Sequence, residues 1–136
     1  MTGAGGVRVG IDLVRVSRIA ESIERFGESF VRRLFTDGEV EYARAAAPTH
    51  AAERFAARFA AKEAAMKAIG LLDEPLSWRD IEVCRAPSGD CSLILRGTAR
   101  RAADLAGVSE LAVSLSHEGD YATAVVIARL KESAAS

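Results

Sequence analysis

Apolar and polar positions change period several times along the chain, and each change marks an element. Val7-Arg8-Val9-Gly10-Ile11-Asp12-Leu13 alternates apolar residues with small or polar ones, the period-two pattern of a β-strand. Over 14–26 the period becomes helical. Val16, Ile19, Ile23 and Phe26 form a stripe, Arg15, Arg18, Ser22 and Arg25 lie beside it, and Glu21 and Glu24 take the remaining face. Thr36-Asp37-Gly38-Glu39 has the spacing of a capping box and predicts a short helix to about Ala46, stopped by Pro48. Thr49 can then cap a long helix running from about 50 to 69, which Gly70 closes in a left-handed turn. Phe55, Phe59 and Met66 form the apolar stripe of that helix. Glu63 and Lys67 border it on one edge, and Arg54, Arg58 and Lys62 line the other.

Beyond a loop at 71–77 containing Pro75, strand patterns at 78–83 and 92–95 flank a turn at 86–90 and predict a hairpin. A helix at 98–106 ends at Gly107. Strands at 111–116 and 121–128 are joined by His117-Glu118-Gly119-Asp120, and 131–136 reads as a frayed end. The fold class is therefore α+β: a mainly antiparallel sheet packed with a long central helix and shorter helices. There is no internal repeat and no linker, so 1–136 reads as one domain with its core at about 7–129.

Composition narrows the function. The chain has 136 residues, 49% of them apolar, enough for one compact core. A net charge of −1 and 6% aromatic residues argue against nucleic acid as a partner. No stretch approaches the roughly 18 apolar residues of a membrane span, and 1–6 lacks the apolar core of a signal peptide. A soluble cytoplasmic protein is expected. Cys84 and Cys91 flank the predicted turn without the spacing of a zinc site, and reduced structural thiols are expected there.

The charged residues around the long helix carry the candidate chemistry. Asp12, at the end of the first strand, is either a helix cap or a ligand. His117, immediately after a strand, is the histidine in the more informative setting. Together, Gly10-Ile11-Asp12 with Arg18-Ile19, the run Arg58-Phe59-Ala60-Ala61-Lys62-Glu63-Ala64-Ala65-Met66-Lys67-Ala68-Ile69-Gly70, Trp78-Arg79-Asp80-Ile81-Glu82-Val83, and Ser114-Leu115-Ser116-His117 resemble the short 4′-phosphopantetheinyl transferases of the holo-[acyl-carrier-protein] synthase type. The resemblance spans about 7–128.

What the resemblance implies is Mg²⁺-dependent transfer of 4′-phosphopantetheine from coenzyme A to a serine hydroxyl of an acidic carrier protein, releasing adenosine 3′,5′-bisphosphate. Asp12 and Glu63 match the metal ligands, and Lys67 and His117 the phosphate-binding positions. Arg58 and Lys62 fall on the coenzyme side, and Gly89 lies in the loop bordering the nucleotide. Glu63 or a water held at the metal would serve as general base. Arg18 matches the carrier-docking arginine, with Arg25, Arg32 and Arg33 as helpers whose register the sequence leaves open. Family members form homotrimers with sites between subunits. Two departures stand out: Arg15 where many members carry an acid, and Ser88-Gly89-Asp90-Cys91 in the hairpin turn. The fatty-acid, polyketide or peptide-synthetase type of carrier is left open. A non-catalytic domain binding coenzyme A or a carrier is the competing reading, and it leaves Asp12, Glu63, Lys67 and His117 without a task.

Overall fold

The computed structural model describes residues 5–71 and 76–132. The expected loop at 71–77 and the expected fraying at 131–136 therefore lie mostly outside the described residues. The elements follow the order β1 (Val7–Arg15), α1 (Val16–Leu34), α2 (Asp37–Arg44), α3 (Pro48–Ile69), a 3₁₀ turn (Trp78–Asp80), β2 (Ile81–Arg85), β3 (Cys91–Leu95), α4 (Gly97–Leu105), β4 (Val108–Glu118) and β5 (Tyr121–Leu130). β1, β5 and β4 form an antiparallel sheet in that order, and β2 and β3 form a separate hairpin. Among the described residues no helix is long and apolar enough to cross a membrane.

Helix α3 lies across the inner face of the sheet and is far more buried than a one-sided stripe requires. Ala56, Ala57, Ala60, Ala61, Ala64, Ala65 and Ala68 are all buried, as are Phe55 and Met66. Small side chains let the helix backbone come close to the sheet. Gly10 on β1 marks the closest approach: a Cβ there would lie 1.9 Å from the Ala64 carbonyl oxygen. From α3, Phe55 packs on Phe35 with ring centroids 4.9 Å apart, and Phe59 stacks on Trp78 at 5.2 Å.

That close approach decides which face of β1 turns inward. Gly10 and Asp12 face α3, whereas the apolar members of the alternation face out: Val7, Val9, Ile11 and Leu13 are 64%, 59%, 61% and 64% exposed. On β5, Ile127 stands opposite Val9 and Tyr121 opposite Arg15, and both are exposed on the same side. A continuous apolar sheet face is thus left uncovered by the described residues, and a chain in water rarely leaves one so.

The capping box at Thr36 is present, with Thr36 Oγ1 accepting from Glu39 N (3.2 Å) and Glu39 Oε1 accepting from Thr36 N (2.8 Å). Gly70 ends α3 in the left-handed conformation, φ 87°. Three local expectations need correction. Thr49 does not cap α3, because Pro48 already occupies the first turn and Ala47 is the cap. Arg15 ends β1 rather than joining the basic stripe of α1. That stripe breaks at Gly27, whose φ 66° and ψ −149° interrupt the helix and leave Phe26 exposed. The start of α1 is capped from afar: the Asp120 carboxylate in the β4–β5 turn accepts from Ser17 N at 2.9 Å and Ser17 Oγ at 2.6 Å. Cys84 and Cys91 are free thiols, and burial pushes the Cys84 thiol up.

Candidate active site

The contact of α3 with β1 gathers Asp12, Glu63 and Lys67. Asp12 stands inside β1 and caps nothing. Its backbone is pinned by Thr123 Oγ1, which donates to the Asp12 carbonyl at 2.7 Å. Lys67 Nζ donates to the Ile11 carbonyl at 3.0 Å and lies 3.4 Å from Asp12 Oδ1. Burial raises the pKa of Glu63, the Asp12 charge raises it further, and Lys67 opposes both. No described residue donates a hydrogen bond to the Glu63 carboxylate. Two facing carboxylates with spare lone pairs are hard oxygen donors and fit Mg²⁺, which commonly takes one or two protein carboxylates and completes its shell with phosphate and water. Among the described residues no group of three or more His, Cys, Asp or Glu is assembled.

A second group lines a cleft of about 340 Å³ between the N-terminal half of α3, the β2–β3 hairpin and the end of β4. Three guanidinium groups surround the Tyr42 ring: Arg54 at 4.1 Å, Arg58 at 4.2 Å and Arg85 at 5.6 Å. Arg54 Nη1 also donates to the Tyr42 carbonyl at 2.7 Å. Arg58 is buried, burial lowers its pKa, and its Nε has no acceptor among the described residues. A buried donor left unpaired is uncommon enough to require explanation, and a missing anionic ligand supplies one. Gly89, at φ 97°, forms part of the cleft wall, where a Cβ would lie 3.3 Å from Arg85 Nη2. His117 reaches the same cleft and sits 2.8 Å from Glu53 through Nδ1.

The residues expected from sequence therefore fall into two groups on one helix. Glu53 and Glu63 are ten positions apart in α3, about 15 Å of helix axis. His117, held at Glu53, is well removed from the Asp12–Glu63 pair within one chain. His117 lies inside β4, opposite Ala122, rather than beyond the strand end as expected. Lys62 is a correction. It is 0% exposed and turned to the opposite side of α3, where Nζ pairs with Glu39 Oε1 at 2.8 Å and donates to the carbonyls of Trp78 (3.1 Å) and Ile81. With its three protons so engaged, it has none left for a coenzyme phosphate. Arg18 and Arg25 are exposed on α1, Arg25 over the Phe26 ring. Arg32 is occupied by Glu28 and Asp37. Tyr42, His50, Glu53 and Arg85 did not emerge from the sequence. They belong to three different elements, and only tertiary packing gathers them.

Comparison with known proteins bears on both groups. The profile of the 4′-phosphopantetheinyl transferase superfamily matches residues 8–126. The chain is 48% identical over 119 residues to the holo-[acyl-carrier-protein] synthase of Koribacter versatilis, covering 87% of this chain and 94% of that one. It is 44% identical over 122 residues to the synthase of Solibacter usitatus, covering 89% and 96%. A solved complex of ACPS with CoA from Chronobacterium ammoniagenes superposes with a TM-score of 0.81 at 32% identity, covering 93% of this chain and 98% of that one.

Proposed function

We propose that this chain, which belongs to the 4′-phosphopantetheinyl transferase superfamily and is a transferase of its holo-[acyl-carrier-protein] synthase type, moves 4′-phosphopantetheine from coenzyme A to an apo carrier protein with the help of Mg²⁺. The observation that carries this reading is the meeting of Asp12, Glu63 and Lys67 at the α3–β1 contact. In the reaction, the carrier serine oxygen forms a bond to the phosphorus on the pantetheine side of the pyrophosphate. The bond from that phosphorus to the bridging oxygen breaks, and adenosine 3′,5′-bisphosphate leaves with the electron pair while the serine proton goes to a base.

Asp12 and Glu63 would hold the cation, which when bound neutralises pyrophosphate charge that otherwise repels the nucleophile. Lys67 uses two of its three protons on Ile11 and Asp12, so the third is free for a phosphate oxygen as charge develops. Glu63, with its raised basicity, suits the serine proton. The cationic cleft suits the nucleotide phosphates: Arg58, Arg54 and Arg85 supply charge, His117 stands at its edge, and Gly89 keeps the wall thin.

The uncovered sheet face supports assembly as a homotrimer. A neighbour packed along β1 buries Val7, Val9, Ile11 and Leu13. It also brings one chain's Asp12–Glu63 pair toward another chain's cleft, joining two groups that a single chain keeps apart. The exposed Arg18 and Arg25 suit an acidic carrier. One domain per chain and a cytoplasmic setting complete the reading.

The test mixes purified protein with coenzyme A, Mg²⁺ and a panel of apo carrier proteins, and weighs the carriers by mass spectrometry. A phosphopantetheine adduct is expected, and its absence from every carrier overturns the reading. Sedimentation velocity is expected to find a trimer, and a fully active monomer would overturn the shared-site arrangement.

A further inference from the structure

Glu53, near the start of α3, grips two imidazole rings at once. Its Oε1 lies 2.8 Å from His50 Nδ1, and its Oε2 lies 2.8 Å from His117 Nδ1. An ionised carboxylate only accepts hydrogen bonds, so each Nδ1 carries a proton. Each ring then has Nε2 on its far side, free of the carboxylate, and both rings line the cationic cleft. His50 and His117 are 67 residues apart and come from a helix and a strand, yet one side chain orients both.

We propose that Glu53 is a positioning residue that turns His50 and His117 into a matched pair of phosphate-binding groups, and that His50 is a coenzyme-binding residue. This rests on reading the cleft as the nucleotide site. A ring whose Nδ1–H is committed to Glu53 can donate to a phosphate oxygen only after Nε2 gains a proton. Binding of the nucleotide is therefore coupled to proton uptake, and the Glu53 charge balances the imidazolium that forms. The same coupling between a carboxylate, an imidazole and the ligand on the far nitrogen orients histidines in metal sites.

The ionisable neighbours are distinct in sign. Arg54 and Arg58 of α3 and Arg85 of the hairpin line the cleft with like charge and oppose the extra proton. Tyr42 of α2 also lines the cleft, and Glu118 and Tyr121 lie beside His117 at the β4–β5 end. Glu53 is the acid in direct contact with both rings.

The experiment is calorimetry of adenosine 3′,5′-bisphosphate binding at pH 8, in buffers of different ionisation enthalpy. That pH is above the ordinary imidazole range near 6.5. The wild-type protein is expected to take up about two protons on binding, one for each ring. Glu53→Gln should lose most of that uptake and bind about tenfold more weakly. In turnover it should raise KM for coenzyme A while leaving kcat at saturation largely intact. His50→Asn should give a smaller loss of affinity and a partial loss of uptake. Nitrogen-resolved NMR of the ligand-free protein should find Nδ1 protonated on both rings. Unchanged affinity and uptake in Glu53→Gln, with transfer normal in the wild type, overturns this proposal alone. A wild-type protein that binds neither coenzyme A nor the bisphosphate overturns the nucleotide-site reading with it. If Glu53→Gln fails to fold, the wild type decides: no proton uptake, or an unprotonated Nδ1, overturns the proposal.

Discussion

Lys62 and Glu63 are adjacent in sequence, alike in being charged and only partly or not at all exposed, and opposite in circumstance. Lys62 points into the core, where Glu39 and the carbonyls of Trp78 and Ile81 take up its protons. Glu39 is equally complete, accepting from Thr36 N and from Val83 N (2.7 Å) besides pairing with Lys62. Glu63 points the other way, faces a second carboxylate and receives no hydrogen bond from a described residue. A buried charge with every valence met holds a fold together, whereas a half-buried charge kept short of partners beside a like charge is held for a ligand.

The largest effect should come from unbalancing the satisfied member. Lys62→Met leaves Glu39 charged in the core without its counter-ion, and should cost about 3–5 kcal/mol in urea denaturation. A stable Lys62→Met protein with only weakened coenzyme binding would dissolve the contrast. Next comes the unsatisfied member: Glu63→Gln should cut turnover about 100- to 1000-fold with the fold kept. Its folded pKa is raised, so ionisation above the unfolded value opposes folding. The amide escapes that penalty, and the metal-free variant should melt at a higher temperature than the wild type at pH 7. Full activity would remove Glu63 from the site. Smaller still, Arg18→Glu should raise KM for the carrier about tenfold, more at low salt, without changing KM for coenzyme A. Smallest is Asp120→Asn. The two bonds from Ser17 hold the Asp120 carboxyl below its ordinary value of 3.8, so its stabilising effect is present above that value and is lost as pH falls through the lower folded one. The variant's deficit in melting temperature should fade over that acidic window.

Much of this was legible because local chemistry and the fold agree. The Thr36–Glu39 box and the Gly70 terminus are short-range signals, and both are present. The edge carrying Glu63 and Lys67 was readable from helical spacing. The opposite edge was not, since a stripe argument assumes that one helix face meets the core, and α3 is enclosed on most sides. Its alanines could not announce that enclosure, being equally at home on an exposed helix. Nor could the alternation in β1 say which face turns inward. An apolar strand face ordinarily turns to a core, but the approach of Ala64 to Gly10 leaves no room for a side chain there. The link of Glu53 to His117 crosses 64 positions, beyond the reach of any local pattern.

The break at Gly27 gives the basic face of α1 a finite length. From Val16 to the break runs a rod of about three turns, near 16 Å, anchored at its start by Asp120. Arg18 and Arg25 belong to this rod, while Arg32 beyond the break is committed to Glu28 and Asp37. On the proposed docking role of Arg18 and Arg25, the helix would act as a ruler: an acidic partner would be measured against the span between the two arginines, and its charges beyond that span would meet no matching cation on the same axis. Lengthening or shortening the rod by one residue would rotate one end by about 100° against the other and change what the ruler measures.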